Sequence, residues 1–246
     1  MELKINPRRI VRVLFWIIVA LGVLGTLSQI LVHLLGGGYW LRLAHRLDLD
    51  GNWSVPIYYS ALALMLTAVL FFVIAHLTRA RKGRFVRHWY FASAMFVFMS
   101  FDEAIGVHGL MNVPMRQAFD LPEWLTLPWV IPGTILVIVV ALIYLPMVMS
   151  LSSPARIRFF LAGAVFIGGA VGMETVGMLM VVSFPEQPAF YTASAIVEEL
   201  MEKFGILILI DALLRHLVNM TDRIEIRLTP DPPYFSSGES DTARSN

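Results

Sequence analysis

The chain has 246 residues, of which 57% are hydrophobic and 15% charged, with a formal net charge of +1 and a mean hydropathy of +0.70. Soluble globular domains carry about a quarter charged residues, so the composition excludes a soluble domain and implies a polytopic membrane protein. Cysteine is absent, which excludes disulfides, thiolate metal sites and a cysteine nucleophile, and no basic tract interleaved with aromatics offers a surface to nucleic acid.

The N-terminal stretch MELKINPRRIVR runs directly into a long apolar segment with no small-residue cleavage site, and reads as a retained first helix. A helix needs about 20 apolar residues to cross the hydrocarbon core. Six segments meet that length: Ile10–Leu35, Pro56–Leu77, His88–Leu110, Trp129–Ser150, Phe159–Ser183 and Phe190–Leu217. The predicted fold is all-α, a polytopic membrane helical bundle of six transmembrane helices over residues 1–228. The last stretch, 229–246, is rich in Pro, Ser and Gly and reads as a disordered cytoplasmic tail.

Lys and Arg placement sets the expected orientation. One side receives Lys4, Arg8, Arg9 and Arg12, the Arg79–Arg87 connection, Arg156 and Arg158, then Arg215, Arg223, Arg227 and Arg244. The other receives Arg42, Arg46 and Arg116, so both termini are predicted to be cytoplasmic. Trp40, Trp53, Trp124 and Trp129 fall near outer helix ends, where an interfacial belt belongs.

The first outer connection, GGGYWLRLAHRLDLDGNWSVP, suits a segment lying on the membrane. Its Asp48, Asp50 and Asn52 lack the distal bidentate Glu of a calcium loop and predict an Asx-type turn instead. MNVPMRQAFDLPEWLTLP forms a second outer loop, broken by Pro114, Pro122 and Pro128.

Carboxylates interrupt three of the apolar segments. Asp102 and Glu103 lie about fifteen residues beyond the cytoplasmic start of the third helix, and Glu174 about fifteen beyond that of the fifth; Glu198, Glu199 and Glu202 lie about eight to twelve past the outer start of the sixth. At about 1.5 Å rise per residue, all reach a similar depth in the outer half of the membrane. An acidic side chain at the centre of a spanning helix costs about 2.5–3.5 kcal/mol even on the lenient scale. The acids must therefore face the bundle interior and be neutralised.

Lys203, four residues after Glu199, suits an i,i+4 pair, and His108 is the other nearby base. His108 stands five residues after Glu103. Either Gly106 allows a π-type widening that brings the two together, or His108 meets the acids from the helix end. Ser93, Ser100 and Glu103 share one polar stripe, and the glycines around Glu174 permit close helix approach. Asp211 is spaced to pair with Arg215.

Carboxylates with one or two imidazoles, here His108 and His33 from the outer end of the first helix, resemble in type the ligand sets of di-iron and di-manganese bundles, although no Glu-x-x-His is present. The expected metal pool is Asp102, Glu103, His108, Glu174, Glu198, Glu199 and Glu202, with Glu103 and Glu202 as acid/base residues. So many oxygens favour Fe or Mn over Zn. No P-loop, GxSxG or desaturase-type histidine cluster is found, and no nucleotide cofactor is implied. His76, His88 and His216 sit near basic helix ends and read as headgroup contacts.

The stretch S-F-D-E-A-I-G-V-H at Ser100–His108, with an acidic fifth helix and E-E-x-x-E in the sixth, resembles a group of functionally uncharacterised bacterial six-helix membrane proteins. These carry a D-E-x4-H motif often continued as H-E; Gly109 replaces that Glu here. The resemblance implies a membrane bundle with a polar centre, integral to the cytoplasmic (inner) membrane of a bacterium, and no particular reaction.

Three functions stand as expectations. The first is a metal-dependent membrane enzyme acting on a lipid or other apolar substrate from the outer leaflet. The second is a proton- or cation-coupled transporter or channel, against which the apolar run FGILILI below the acids counts. The third is a structural or assembly subunit of a membrane complex.

Overall fold

A computed structural model describes residues 6–35, 44–51, 53–122 and 125–220. The expected tail 229–246, Trp40, Trp124 and Asn52 lie outside the described residues, as does the side chain of His33. Within them the chain is all-α, and no strand occurs among the described residues. The helices are α1 (Pro7–Leu35), α2 (Val55–Ala80), α3 (Val86–Ile105), the short α4 (Asn112–Ala118), α5 (Val130–Met149), α6 (Ser153–Ser183) and α7 (Pro188–Met220).

Helices α1, α2, α5 and α6 are each long and apolar enough to cross a membrane, and α3 makes a fifth when joined to His108–Ala118, to which it is bent by 73°. Among the described residues, the helices that are long and uniformly apolar enough to span therefore number four or five, where six were expected. The difference lies in α7: it runs for 33 residues, but Glu198, Glu199, Glu202, Lys203 and Asp211 break its apolar character.

Local sequence explains where the helices begin and stop. Ser54 caps α2 by accepting the Ile57 N–H, with Pro56 in the first turn, where a missing N–H is harmless. The third helix stops at Ile105, short of the expected Leu110. Gly106 takes φ +73°, a left-handed conformation that ends α3 and costs glycine little.

Helices α2 and α3 form an antiparallel pair joined by Arg81–Phe85. Ser93 Oγ donates to the Ala68 carbonyl at 2.9 Å and Ser100 Oγ to the Ala61 carbonyl at 2.7 Å. The polar stripe of α3 is thus directed at α2, whose backbone satisfies its two serines. Between lipid-facing helices the hydrophobic effect gives no net attraction, so such hydrogen bonds and tight packing hold the pair.

Helix α7 contacts α1, α2 and α6 and forms the axis of the bundle. Its approach to α6 is close because glycines line both sides. A Cβ at Gly205 would stand 2.7 Å from the Phe166 backbone nitrogen, and one at Gly169 would stand 2.9 Å from the Glu198 carbonyl oxygen. Toward the Arg79–Arg87 end, Phe71, Ile74, Trp89, Ile210, Leu213 and Leu217 build a continuous apolar core. His216 stacks on Trp89 with ring centroids 5.5 Å apart. Asp211 accepts from Arg215 at 2.7 Å, as its spacing implies, and is also 3.3 Å from Arg158 of α6.

Candidate functional site

The acids gather at the opposite end of the bundle. Each is carried by a helix, and two backbone irregularities aim them. Helix α6 widens into a π segment at Gly168–Met173, immediately before Glu174; a π turn inserts an extra residue and so rotates the side chains beyond it. The break after α3 turns the chain so that His108 folds back onto the helix it has left.

That fold-back decides between the two placements of His108. Asp102 accepts the His108 backbone N–H at 2.7 Å through one oxygen, and its other oxygen lies 2.9 Å from Nδ1 of the ring. His108 therefore meets the site from the helix end and is bonded to Asp102, not to Glu103. Its ring centroid lies 4.7 Å from that of Trp129, whose indole N–H donates to Glu174 at 3.2 Å. Trp129, at the start of α5, is half-buried, and Glu174 and the Asn112 side chain accept its indole and backbone N–H groups.

Two faces of α7 carry the remaining groups. Glu198 meets Glu174 of α6 carboxyl to carboxyl. About 140° around the helix, Lys203 is bonded to Glu199, as the i,i+4 spacing implies. The Lys203 side chain is fully buried. Glu202 sits between these faces, within Coulombic reach of Glu199, Glu103, Lys203 and Glu174. Glu103 reaches toward Glu199, Lys203 and His108, and lies beside Ser60 of α2. All seven sequence-predicted residues thus share one region. Among the described residues, however, no three His, Asp or Glu side chains converge tightly enough to cage a metal ion as they stand.

Pairing leaves an imbalance. His108 serves Asp102 and Lys203 serves Glu199, so Glu103, Glu174, Glu198 and Glu202 have no basic partner of their own among the described residues. Carboxylates in such proximity cannot all stay ionised unless protons or cations are shared among them.

Asp50 is not among the sequence-predicted site residues. It belongs to the expected Asx turn, in which Asp48 accepts the Asp50 N–H at 3.3 Å. Tyr191 of α7 also donates its hydroxyl to Asp50 at 3.3 Å. A cavity of about 120 Å³ lies here, lined in part by Gln29, Asp48, Asp50, Tyr191 and Thr192. The loop is held down by Leu49, which is 1% exposed, and by Ser28, whose hydroxyl donates to the Ala44 carbonyl at 2.8 Å.

Although Asp50 keeps surface open to solvent, its carboxyl is pushed up to about 7, first by loss of hydration and then by the charges of Glu199, Asp48 and Glu174; the Tyr191 bond opposes this. The folded protein thus holds a proton on Asp50 that the unfolded chain releases near 3.8. This contribution to stability is complete below about pH 4 and lost as pH rises through about 7. Melting temperatures in detergent are expected to show that decline, and Asp50→Asn should flatten it; an unchanged slope would remove Asp50 as the cause.

Over residues 11–217 the sequence matches the model of a family described as a domain of unknown function (DUF8692). No curated protein and no solved structure matches it.

Proposed function

The chain belongs to the DUF8692 family, and from its site we infer an integral membrane protein whose carboxylate pocket binds a divalent metal ion. In this reading α7 crosses the membrane with the other helices, making six spans; the Lys/Arg distribution supports cytoplasmic termini, and the membrane is read as the inner membrane of a bacterium. The pocket then lies in the outer half of the inner membrane. The metal, Fe or Mn before Zn, serves an enzyme acting on a lipid or other apolar substrate, with Glu103 and Glu202 moving protons.

One observation carries the reading: four carboxylates converge from three helices with no basic partner of their own. Oxygen donors in that number suit a hard divalent ion, which would draw the side chains together from their present positions. The apolar core below the site supports a closed pocket over a conduit. Protein purified in detergent is expected to carry stoichiometric Fe or Mn and to melt at a lower temperature after chelation, since a ligand bound only to the folded state stabilises it. Absence of Fe, Mn and Zn, with melting indifferent to chelator, would sink the reading.

The Glu174–Glu198 contact favours a second reading, in which the pair holds a shared proton in a proton- or cation-coupled carrier. Proteoliposome flux that requires Glu198 and ignores chelators would select it.

A further inference from the structure

Among the described residues, buried hydroxyls are satisfied with one exception. Thr67, Thr78, Ser93 and Ser100 donate to backbone carbonyls at 2.7–2.9 Å. Ser60, only 3% exposed, is the residue whose buried hydroxyl has no hydrogen-bond partner among the described residues. Its Oγ lies beside the Glu103 carboxyl without reaching hydrogen-bonding geometry. A buried hydroxyl left without a partner is costly and calls for an explanation, such as an ion bound at that place.

We propose that Ser60 is a ligand of the cation site, forming with Glu103 and Glu202 an all-oxygen subsite for a hard divalent ion such as Mn²⁺. The proposal rests on the reading that the carboxylate pocket binds a metal, and it adds α2 as a wall of that pocket. Charge supports the choice. Lys203 and Glu199 neutralise each other, leaving the two carboxylates of Glu103 and Glu202 to match a divalent ion and the neutral hydroxyl to complete its oxygen shell. Imidazole takes no part, because His108 is turned to Asp102 and Trp129. The preference is therefore for an oxygen-seeking ion over one that favours nitrogen or sulfur.

The chain has no cysteine, so Ser60→Cys introduces a single thiol that reports on the site. Mn²⁺ binding to the purified full chain is expected to weaken by roughly tenfold or more in Ser60→Cys and in Ser60→Ala, the scale on which groups around a metal matter. Cd²⁺ binding should strengthen in Ser60→Cys alone, and Cd²⁺ should protect the thiol from alkylation. A hydroxyl needed only for packing would give neither the change of metal preference nor the protection. Should the cysteine variant fail to fold, Ser60→Ala decides through its Mn²⁺ affinity. Parent and variants binding Mn²⁺ equally would overturn the proposal and leave the metal reading intact. A parent chain that takes up no Mn²⁺, Fe²⁺ or Zn²⁺ overturns both.

Discussion

Replacing Lys203 by Met is expected to destabilise the protein by about 3–5 kcal/mol, the cost of breaking a buried ion pair by removing one partner. The side chain is fully buried, and it serves more than Glu199, because Glu103 and Glu202 lie within its Coulombic reach. Without the ammonium, this face of α7 would hold carboxylates alone. Reversible denaturation in mixed micelles measures the loss. The double variant Glu199→Gln, Lys203→Met removes charge from both sides and should recover most of it, since replacing a whole buried pair is often close to neutral. Equal losses in the single and double variants would show that Lys203 matters through its packing and not its charge.

Glu202→Gln should have the largest effect on ligand binding. Glu202 lies within reach of both Glu103 and Lys203 on one face of α7 and Glu174 on the other. Gln keeps the shape and one acceptor oxygen but removes a negative charge, so affinity for Mn²⁺ is expected to fall by on the order of 100-fold, the upper end for groups supporting a metal site. Stability should hold or improve, because a buried charge without its own partner is removed. Glu186→Gln, in the exposed turn between α6 and α7, is the matched control. Titration calorimetry on both variants makes the comparison; indistinguishable affinities would take Glu202 out of the site.

Much of the fold and part of the site are legible in periodicity and charge. Apolar length locates the helices to within a few residues, because a membrane span needs little beyond length and apolarity. Two pairs, Glu199–Lys203 and Asp211–Arg215, can be read from spacing because i,i+4 contacts depend only on helix geometry. Acids of α3, α6 and α7 can be read as one group from their positions along the helices, and in the structure they lie in one region.

Features set by tertiary placement are not legible. Ser60 is one of several hydroxyl residues in α2 and α3, and nothing in its neighbours marks it as the one left without a partner. Asp50 reaches the site because Leu49 and Ser28 fold its loop against the bundle, which its local turn chemistry does not reveal. Trp129 reads in sequence only as a belt residue; its bond to Glu174 is not foreshadowed, because an indole N–H takes whichever acceptor the tertiary fold brings near. The π segment before Glu174 is foreshadowed by its glycines, but glycine-rich helix stretches also pack as plain α-helix.

The Asp211 clamp at the far end of the bundle has a mechanical consequence. Arg158 ties α6 to α7 at that point, whereas at the acidic end the two helices meet through glycines and facing carboxyl groups. The pair is built like tongs, riveted at one end. From Asp211 to Glu198 the lever arm is about 20 Å at 1.5 Å per residue. A tilt of about 5° about the rivet would then part Glu198 from Glu174 by about 1.7 Å, enough to exchange a direct contact for a gap the width of a bound ion, while the core around Ile210 and Leu213 scarcely moves.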